Sequence, residues 1–566
     1  MMGTNHKKIN LTFIVIIAAA FLLQLLVFPF TMVGGDEGRY ALDALRIGDG
    51  EVPVADYTTR TPILLFLIFW STQFFGLSLL SLRLPAILFS ALTAGFIFLL
   101  GKELHSRKAG IISSAVYLLA PIVLWSNQLI KSENLAALLV AVATLFFVKG
   151  IKRGRWRWFV FSGILTGVAY IERQSAASFL VMAALVLLWV LWQRKEGIRD
   201  FIQYAFLRGL WILLGFLAGF VPIFFYFFLL NKESAAQLWL SLFVVNAALL
   251  PQEAVLNLYQ FARGWALTFV ETIATQGWAL YFGMVSFAVL AIKRVFGDGG
   301  RKMFAALGFL LLSAPFYIHA TNVIVDGNFA PLTFALAALG GSLFWILCVK
   351  MSLQKPNIQN DLSFVVISFW IASVFLVYLV YTSGYTREFL VPLSLASGVV
   401  LTGLFAVKSK AYKSALAVSL VILWVAGAVW FSDPRTGGWW WRQETVSEAA
   451  VFLVEHTQEG EEIFTASALP ALLADREVFM RLSPYAFMLA PDKETGWGTQ
   501  PSPDEILRGL KKAPPAYVVY DGRMERNFIR KTNNEELETF LQTNYSSVAA
   551  FGFGSRQDWI EIWEKR

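Results

Sequence analysis

Two adjacent carboxylates, Asp36 and Glu37, open a polar stretch directly after the first apolar run, in VGGDEGRYALDALRIGDGEVPVADYTTRTP (33–62). A carboxylate at the border of a bilayer is desolvated, so its pKa rises and it can take a proton from a hydroxyl or amine. Glu133, in SNQLIKSENLAALL, stands where another apolar run begins. Ionisable groups in such places are functional candidates by default. Each also has a plainer reading. Glu37 lies where a helix over 37–47 would start, and Ser132 with Glu133 could cap and charge-complement the next helix. Three arginines, Arg60, Arg173 and Arg387, also sit beside apolar runs. A guanidinium there either snorkels to headgroups (Arg173 could also pair with Glu172) or binds phosphate as a planar, permanently charged fork.

Other chemistries have no foothold. The four histidines, His6, His105, His319 and His456, have no metal-ligand spacing, and the single cysteine, Cys348, allows neither an intrachain disulfide nor a thiol cluster. No Walker loop, Ser/His/Asp order or D-x-D pair is present, so no cofactor and no metal ligands are expected, and a divalent metal has no support in the sequence. Asn544-Tyr545-Ser546 matches a glycan acceptor, a pattern too common to weigh.

The elements that must position these residues are membrane helices. The 566 residues are 57% hydrophobic and 15% charged, against about 25% charged in soluble chains. The net charge of +8 reports loop anchoring and not nucleic-acid binding. The chain therefore reads as a multi-pass protein of the cell membrane in contact with lipid. Residues 11–30 form an uncleaved first span leaving the cytoplasm. Residues 62–75 are short for a span and suit a helix lying on the surface. With that segment outside the bilayer, spans follow near 83–100, 109–125, 133–149, 158–172, 176–193, 207–230, 276–292, 303–319, 329–349, 362–381, 388–406 and 413–431, thirteen in all. This map puts twenty-three Lys and Arg in cytoplasmic segments and nine in external ones, as the positive-inside rule requires. The first external loop then runs over 31–82. A second external segment, 231–275, reads as amphipathic helices on the bilayer.

Composition changes at about residue 432. Helices at 443–457, 503–513 and 533–544 and strands at 461–465, 516–521, 547–552 and 559–564 predict an extracytoplasmic α/β domain over 432–566. It resembles a Rossmann-like layer, yet no G-x-G-x-x-G follows a strand, so no nucleotide site is read. Trp439-Trp440-Trp441 is expected at the membrane interface.

In this order the landmarks resemble a known group, the GT-C fold glycosyltransferases that use lipid-linked sugars. These include the dolichyl-phosphate-mannose protein O-mannosyltransferases and the lipid A aminoarabinose transferase. The landmarks are Asp36-Glu37 followed by Tyr40, Arg60-Thr61-Pro62 in place of Lys-Pro-Pro, and Arg83-Leu84-Pro85. Further along come Gly-Lys-Glu-Leu at 101–104, Glu133 in place of Asp, Gly167-Val168-Ala169 leading to Arg173, and Arg387 to Pro392. They spread over about 30–405, with most in the first 180 residues. The resemblance implies a transmembrane glycosyltransferase domain over 1–431 and a polyprenyl-phosphate-linked sugar as donor. It implies Asp36 as catalytic base supported by Glu37 and Glu133, Tyr40 as a substrate contact, and Arg60, Arg173 and Arg387 as phosphate ligands. The acceptor stays open among protein, lipid and glycan. A lipid-linked glycan flippase is the competing class, and an oligosaccharide-to-asparagine transferase ranks below it because the metal-binding acidic set is missing.

Overall fold

The computed structural model describes residues 11–57, 59, 61–194, 205–232, 361–380, 387–406, 409–432, 440–482, 503–522, 524, 535–552 and 559–566. The spans expected at 276–292, 303–319 and 329–349, the segment 231–275 beyond Lys232, and Arg60 lie outside the described residues, as do His6, His319 and Cys348.

Within the described residues the membrane region is a helical bundle. It comprises α1 (Leu11–Val27), α4 (Leu79–Leu104), α5 (Arg107–Leu119), α6 (Pro121–Ser126), α7 (Ser132–Arg153) and α8 (Trp156–Glu172). It continues with α9 (Ser178–Arg194), α10 (Leu207–Leu230), α11 (Asp361–Val380), α12 (Arg387–Phe405) and α13 (Lys410–Ser432). Among the described residues five helical segments, Leu79–Leu104 and Ser132–Arg153 among them, are long and apolar enough to cross a membrane by length and composition. The span expected at 109–125 is in fact two helices. Pro121 holds the preceding Ala120 in an extended conformation, ψ 124°, which interrupts the helix.

Packing is tightest where side chains vanish. Gly163 and Gly167 of α8 face Gly215 and Gly219 of α10; a Cβ on Gly167 would lie 2.3 Å from the Phe216 carbonyl oxygen, and one on Gly219 2.2 Å from that of Ile164. Two small-xxx-small pairs thus let the two backbones touch, the device that joins helices where lipid supplies no hydrophobic drive. The buried aromatics Phe147, Phe179 and Trp370 centre the main apolar core.

The two ends of the bundle differ. At one, Arg153 of α7 lies 3.6 Å from Glu103 of α4 among Lys149, Lys152, Arg155 and Arg157. The other end carries the residues between α1 and α4: β1 (Met32–Gly34), α2 (Gly35–Gly48) and α3 (Pro62–Phe75). At about 1.5 Å per residue a helix of this length cannot cross a hydrocarbon core of about 30 Å. Its contacts agree. The start of α3 binds Glu172 at the end of α8, while Ser71 near its other end donates to the Ser81 carbonyl at 2.6 Å, at the start of α4. Both ends of α3 therefore meet the same end of the bundle.

The remaining elements form a separate layer over that end. They are β2 (Trp440–Arg442), α14 (Gln443–His456), β3 (Glu462–Thr465), α15 (Leu469–Leu473), β4 (Glu477–Val478) and α16 (Pro503–Lys512). Then follow β5 (Tyr517–Asp521), α17 (Glu535–Asn544), β6 (Tyr545–Phe551) and β7 (Ile560–Lys565). The sheet order is β4-β3-β5-β7-β6, with β3 parallel to both β4 and β5 and with β7 antiparallel to β5 and β6. Strand β2 does not join this sheet. It pairs antiparallel with β1, Val33 opposite Trp441, and Trp441 is buried, so this tryptophan is not part of the interfacial belt expected of the run; Trp439 and the side chain of Trp440 lie outside the described atoms.

Candidate active site

Helix α2 begins where Glu37 folds back on its own start. The Gly34 N–H donates to Glu37 Oε2 at 2.8 Å, satisfying a backbone donor that the first helical turn would otherwise leave bare. Arg83 of α4 meets the same carboxylate as a fork, Nε to Oε1 at 2.8 Å and Nη2 to Oε2 at 2.6 Å. The Ile130 N–H adds 3.1 Å to Oε1. Arg83 also donates from Nη1 to Thr31 Oγ1 and from Nη2 to the Met32 carbonyl, at 2.8 and 2.7 Å. Both side chains are fully buried, 0% exposed. Bidentate pairing and the further hydrogen bonds to both side chains offset the cost of desolvating two charges. Glu37 was expected beside Asp36 in the chemistry. Both its oxygens are committed to the protein, so it fixes the shape of the loop.

Asp36 points elsewhere: it sits in the first turn of α2 and is half-buried. Tyr40 follows one turn later on the same face of the helix. Burial pushes the Tyr40 phenol well above its usual range; Glu133 and Asp36 add to the rise, and Arg39 and Arg173 oppose it. Four charged groups from α2, α7 and the end of α8 thus bear on one phenol. Arg173 Nη2 lies 3.4 Å from Glu133 Oε1, with Arg173 22% exposed and Glu133 buried.

Arg173 does not pair with its neighbour. Glu172 turns back to accept from the Ile63 N–H at 2.7 Å and the Leu64 N–H at 3.3 Å. A buried carboxylate at a helix N-terminus satisfies two bare donors and complements the helix dipole. Proline at the first position of α3 leaves the following N–H groups to be met, so the need for a cap was present in the sequence; its supplier, 109 residues away, was not. Ser132 was expected as a helix cap, but the N-cap residue of α7 is Lys131, without a side-chain cap bond. Ser132 Oγ, Thr61 Oγ1 and Gln174 Nε2 are buried and have no protein partner. All three stand within two residues of Ile63, Glu133 or Glu172. Arg387 opens α12, and its side chain is outside the described atoms. Among the described residues no group of three His, Cys, Asp or Glu side chains is arranged to hold a metal ion.

A helical bundle with its polar residues gathered beneath an α/β layer has solved counterparts. The crystal structure of ArnT from Cupriavidus metallidurans bound to undecaprenyl phosphate superposes with a TM-score of 0.55 at 14% identity, covering 97% of each chain. The fold is GT-C. The apo form of the same protein superposes on this GT-C chain at 0.54, with the same identity and coverage. The Archaeoglobus fulgidus oligosaccharyltransferase, at a TM-score of 0.47, 13% identity and 91% and 70% coverage, adds nothing to that assignment. A family model described as dolichyl-phosphate-mannose-protein mannosyltransferase matches residues 59–222. Among curated proteins none matches by sequence. The family match takes in Glu133, Glu172 and Arg173 of the GT-C bundle and stops short of Asp36.

Proposed function

We propose that this protein is an inverting glycosyltransferase that moves a sugar from a polyprenyl-phosphate donor to an acceptor on the outer face of the cell membrane. The carrying observation is the placement of Asp36 and Tyr40 on one face of α2 beside the Glu133–Arg173 pair. The GT-C fold, the match to the mannosyltransferase family model and the undecaprenyl phosphate named for the ArnT structure support the donor class. The charge distribution of the sequence supports a cytoplasmic N-terminus and an external α/β domain.

In this reading the lipid tail of the donor stays in the bilayer and its phosphate lies against Arg173, with Arg60 and Arg387 as further phosphate ligands. Asp36 takes the proton of the acceptor hydroxyl or amine. The freed lone pair attacks the anomeric carbon from the face opposite the phosphate. The carbon–oxygen bond to phosphate breaks, its electrons go to polyprenyl phosphate, and the guanidinium stabilises that developing charge. Tyr40 keeps its proton and can donate a hydrogen bond to the sugar or the phosphate. Ser132, Thr61 and Gln174 offer buried hydrogen bonds of the kind that select sugar hydroxyls. Glu133 holds Arg173 in place.

The test uses purified protein with polyprenyl-phosphate sugars and a mixed set of acceptors. Release of polyprenyl phosphate is expected from the wild type. Asp36→Asn should fold, insert and bind donor, yet release at least about a hundredfold less, the lower range for removing a general base. A wild type that moves the intact lipid-linked sugar across vesicles without releasing polyprenyl phosphate would make it a transporter.

A further inference from the structure

The α/β domain has a binding geometry of its own. In open α/β sheets a ligand lies beyond the carboxyl ends of parallel strands, at the point where the strand order reverses. Here that point falls between β3 and β5, because the chain leaves β3 to add β4 on one side and returns to add β5 on the other. Thr465 and Asp521, which end these two strands, are fully buried.

The element that fills the place is α2. A Cβ on Gly38 would lie 2.8 Å from the Leu469 nitrogen and 3.1 Å from the Ala468 nitrogen, so the backbone of α2 rests directly on the turn that follows β3. Gly34, Gly35 and Gly38 share a narrow gap with Ser467, Leu469 and Ile560. Ile560 is the register partner of Asp521, which fixes this gap at the carboxyl edge of the sheet. Ties on either side hold the helix down. Strand β1 pairs with β2, Gln443 Nε2 donates to the Phe28 carbonyl at 2.6 Å and to Thr31 Oγ1 at 2.8 Å, and Arg481 lies 3.0 Å from Asp49.

We infer that the strand-end crevice of the α/β domain is the docking seat of α2, and that the domain sets the position of Asp36 instead of binding a ligand of its own. The part concerning Asp36 rests on the glycosyltransferase reading; the seating of α2 does not. Gly38 is a positioning residue two places beyond Asp36. The obstacle a larger residue would meet is backbone, which cannot rotate away as a side chain can. A displacement of about 1 Å at a reacting group costs on the order of a hundredfold in rate, so a small lift of α2 is enough to matter.

The experiment compares the full-length wild type with Gly38→Ala and Ser467→Ala. Two readouts are used: steady-state kinetics with a polyprenyl-phosphate sugar, and amide exchange over 32–48 and 466–472. Gly38→Ala is expected to lower kcat about tenfold or more with donor KM unchanged, and to speed exchange in both segments. Ser467→Ala, which alters the gap without lifting the helix, is expected to match the wild type in both. Wild-type kcat and exchange in Gly38→Ala would overturn the proposal. So would a raised KM or lost activity in Ser467→Ala, because the crevice would then be taking a ligand. If Gly38→Ala does not fold, Gln443→Ala, which removes only the ties to Phe28 and Thr31, takes its place with the same readouts. A wild type that turns over no polyprenyl-phosphate sugar sinks the glycosyltransferase reading, and amide exchange still decides whether the domain seats α2.

Discussion

Asp36 and Glu37 are neighbours in the chain and occupy opposite environments. Glu37 goes inward to Arg83 and Asp36 stays half-buried at the site, because successive helical residues point about 100° apart. Their acidity and place beside the bilayer were legible in the sequence. Which of the two would be locked away was not, because the deciding partner comes 46 residues later. Arg83→Ala would strand the Glu37 carboxylate without its counter-charge. A loss of about 3–5 kcal/mol is expected, read as a fall in Tm and in recovered protein, while Arg107→Ala at the opposite end of the bundle changes neither. Asp43, also on α2, gives a pH signature. Burial holds its carboxyl above the usual range, against the pull of Arg39 and Arg46. The folded state therefore keeps this proton at pH values where the unfolded chain has lost it, and stability falls as pH rises from about 4 through the folded value. Asp43→Asn removes that dependence, so the Tm of the variant should rise relative to wild type between acid and neutral pH. Parallel scans that never diverge would refute it.

At the scale of elements, length and apolarity carried most of the information. The 14-residue run of α3 was too short to cross, and its two ends meet one end of the bundle. Periodicity and caps placed α14, α16 and α17 within two residues of the expected bounds. Two errors have physical causes. Pro121 was a readable break that a smooth apolar run concealed, and β4, only two residues long, gives no alternation to detect. The pairing of β1 with β2 was beyond reach, because both strands are three residues long and their partnership is set by docking and not by local pattern. The cap of α3 is a testable element of the site. Glu172→Gln keeps the shape and removes one of the two oxygens that accept from Ile63 and Leu64, and a loss of about 1 kcal/mol is expected. It should show as faster amide exchange at Ile63 and Leu64 and a higher donor KM, since Thr61 lies on the same turn. Unchanged exchange at those two amides would remove Glu172 from this role.

Over the whole molecule, one end of the bundle is rich in Lys and Arg and the other carries the carboxylates and the α/β layer, which gives the protein a polarity across the membrane. A cysteine at Val454, 52% exposed on α14, should react with a membrane-impermeant maleimide added outside intact cells, in a background where Cys348 is replaced. Labelling only after the cells are broken would reverse the orientation. The pairing of the first loop with the last domain has a temporal consequence. Gln443 lies 415 residues beyond Phe28, the carbonyl it binds. At roughly 5–20 residues per second of synthesis, that separation is on the order of 20–80 s. Throughout that interval α2 has emerged and its seat does not yet exist. A newly made chain therefore holds α2 unseated until the α/β domain has been synthesised; on the glycosyltransferase reading proposed above, its base comes into place only then.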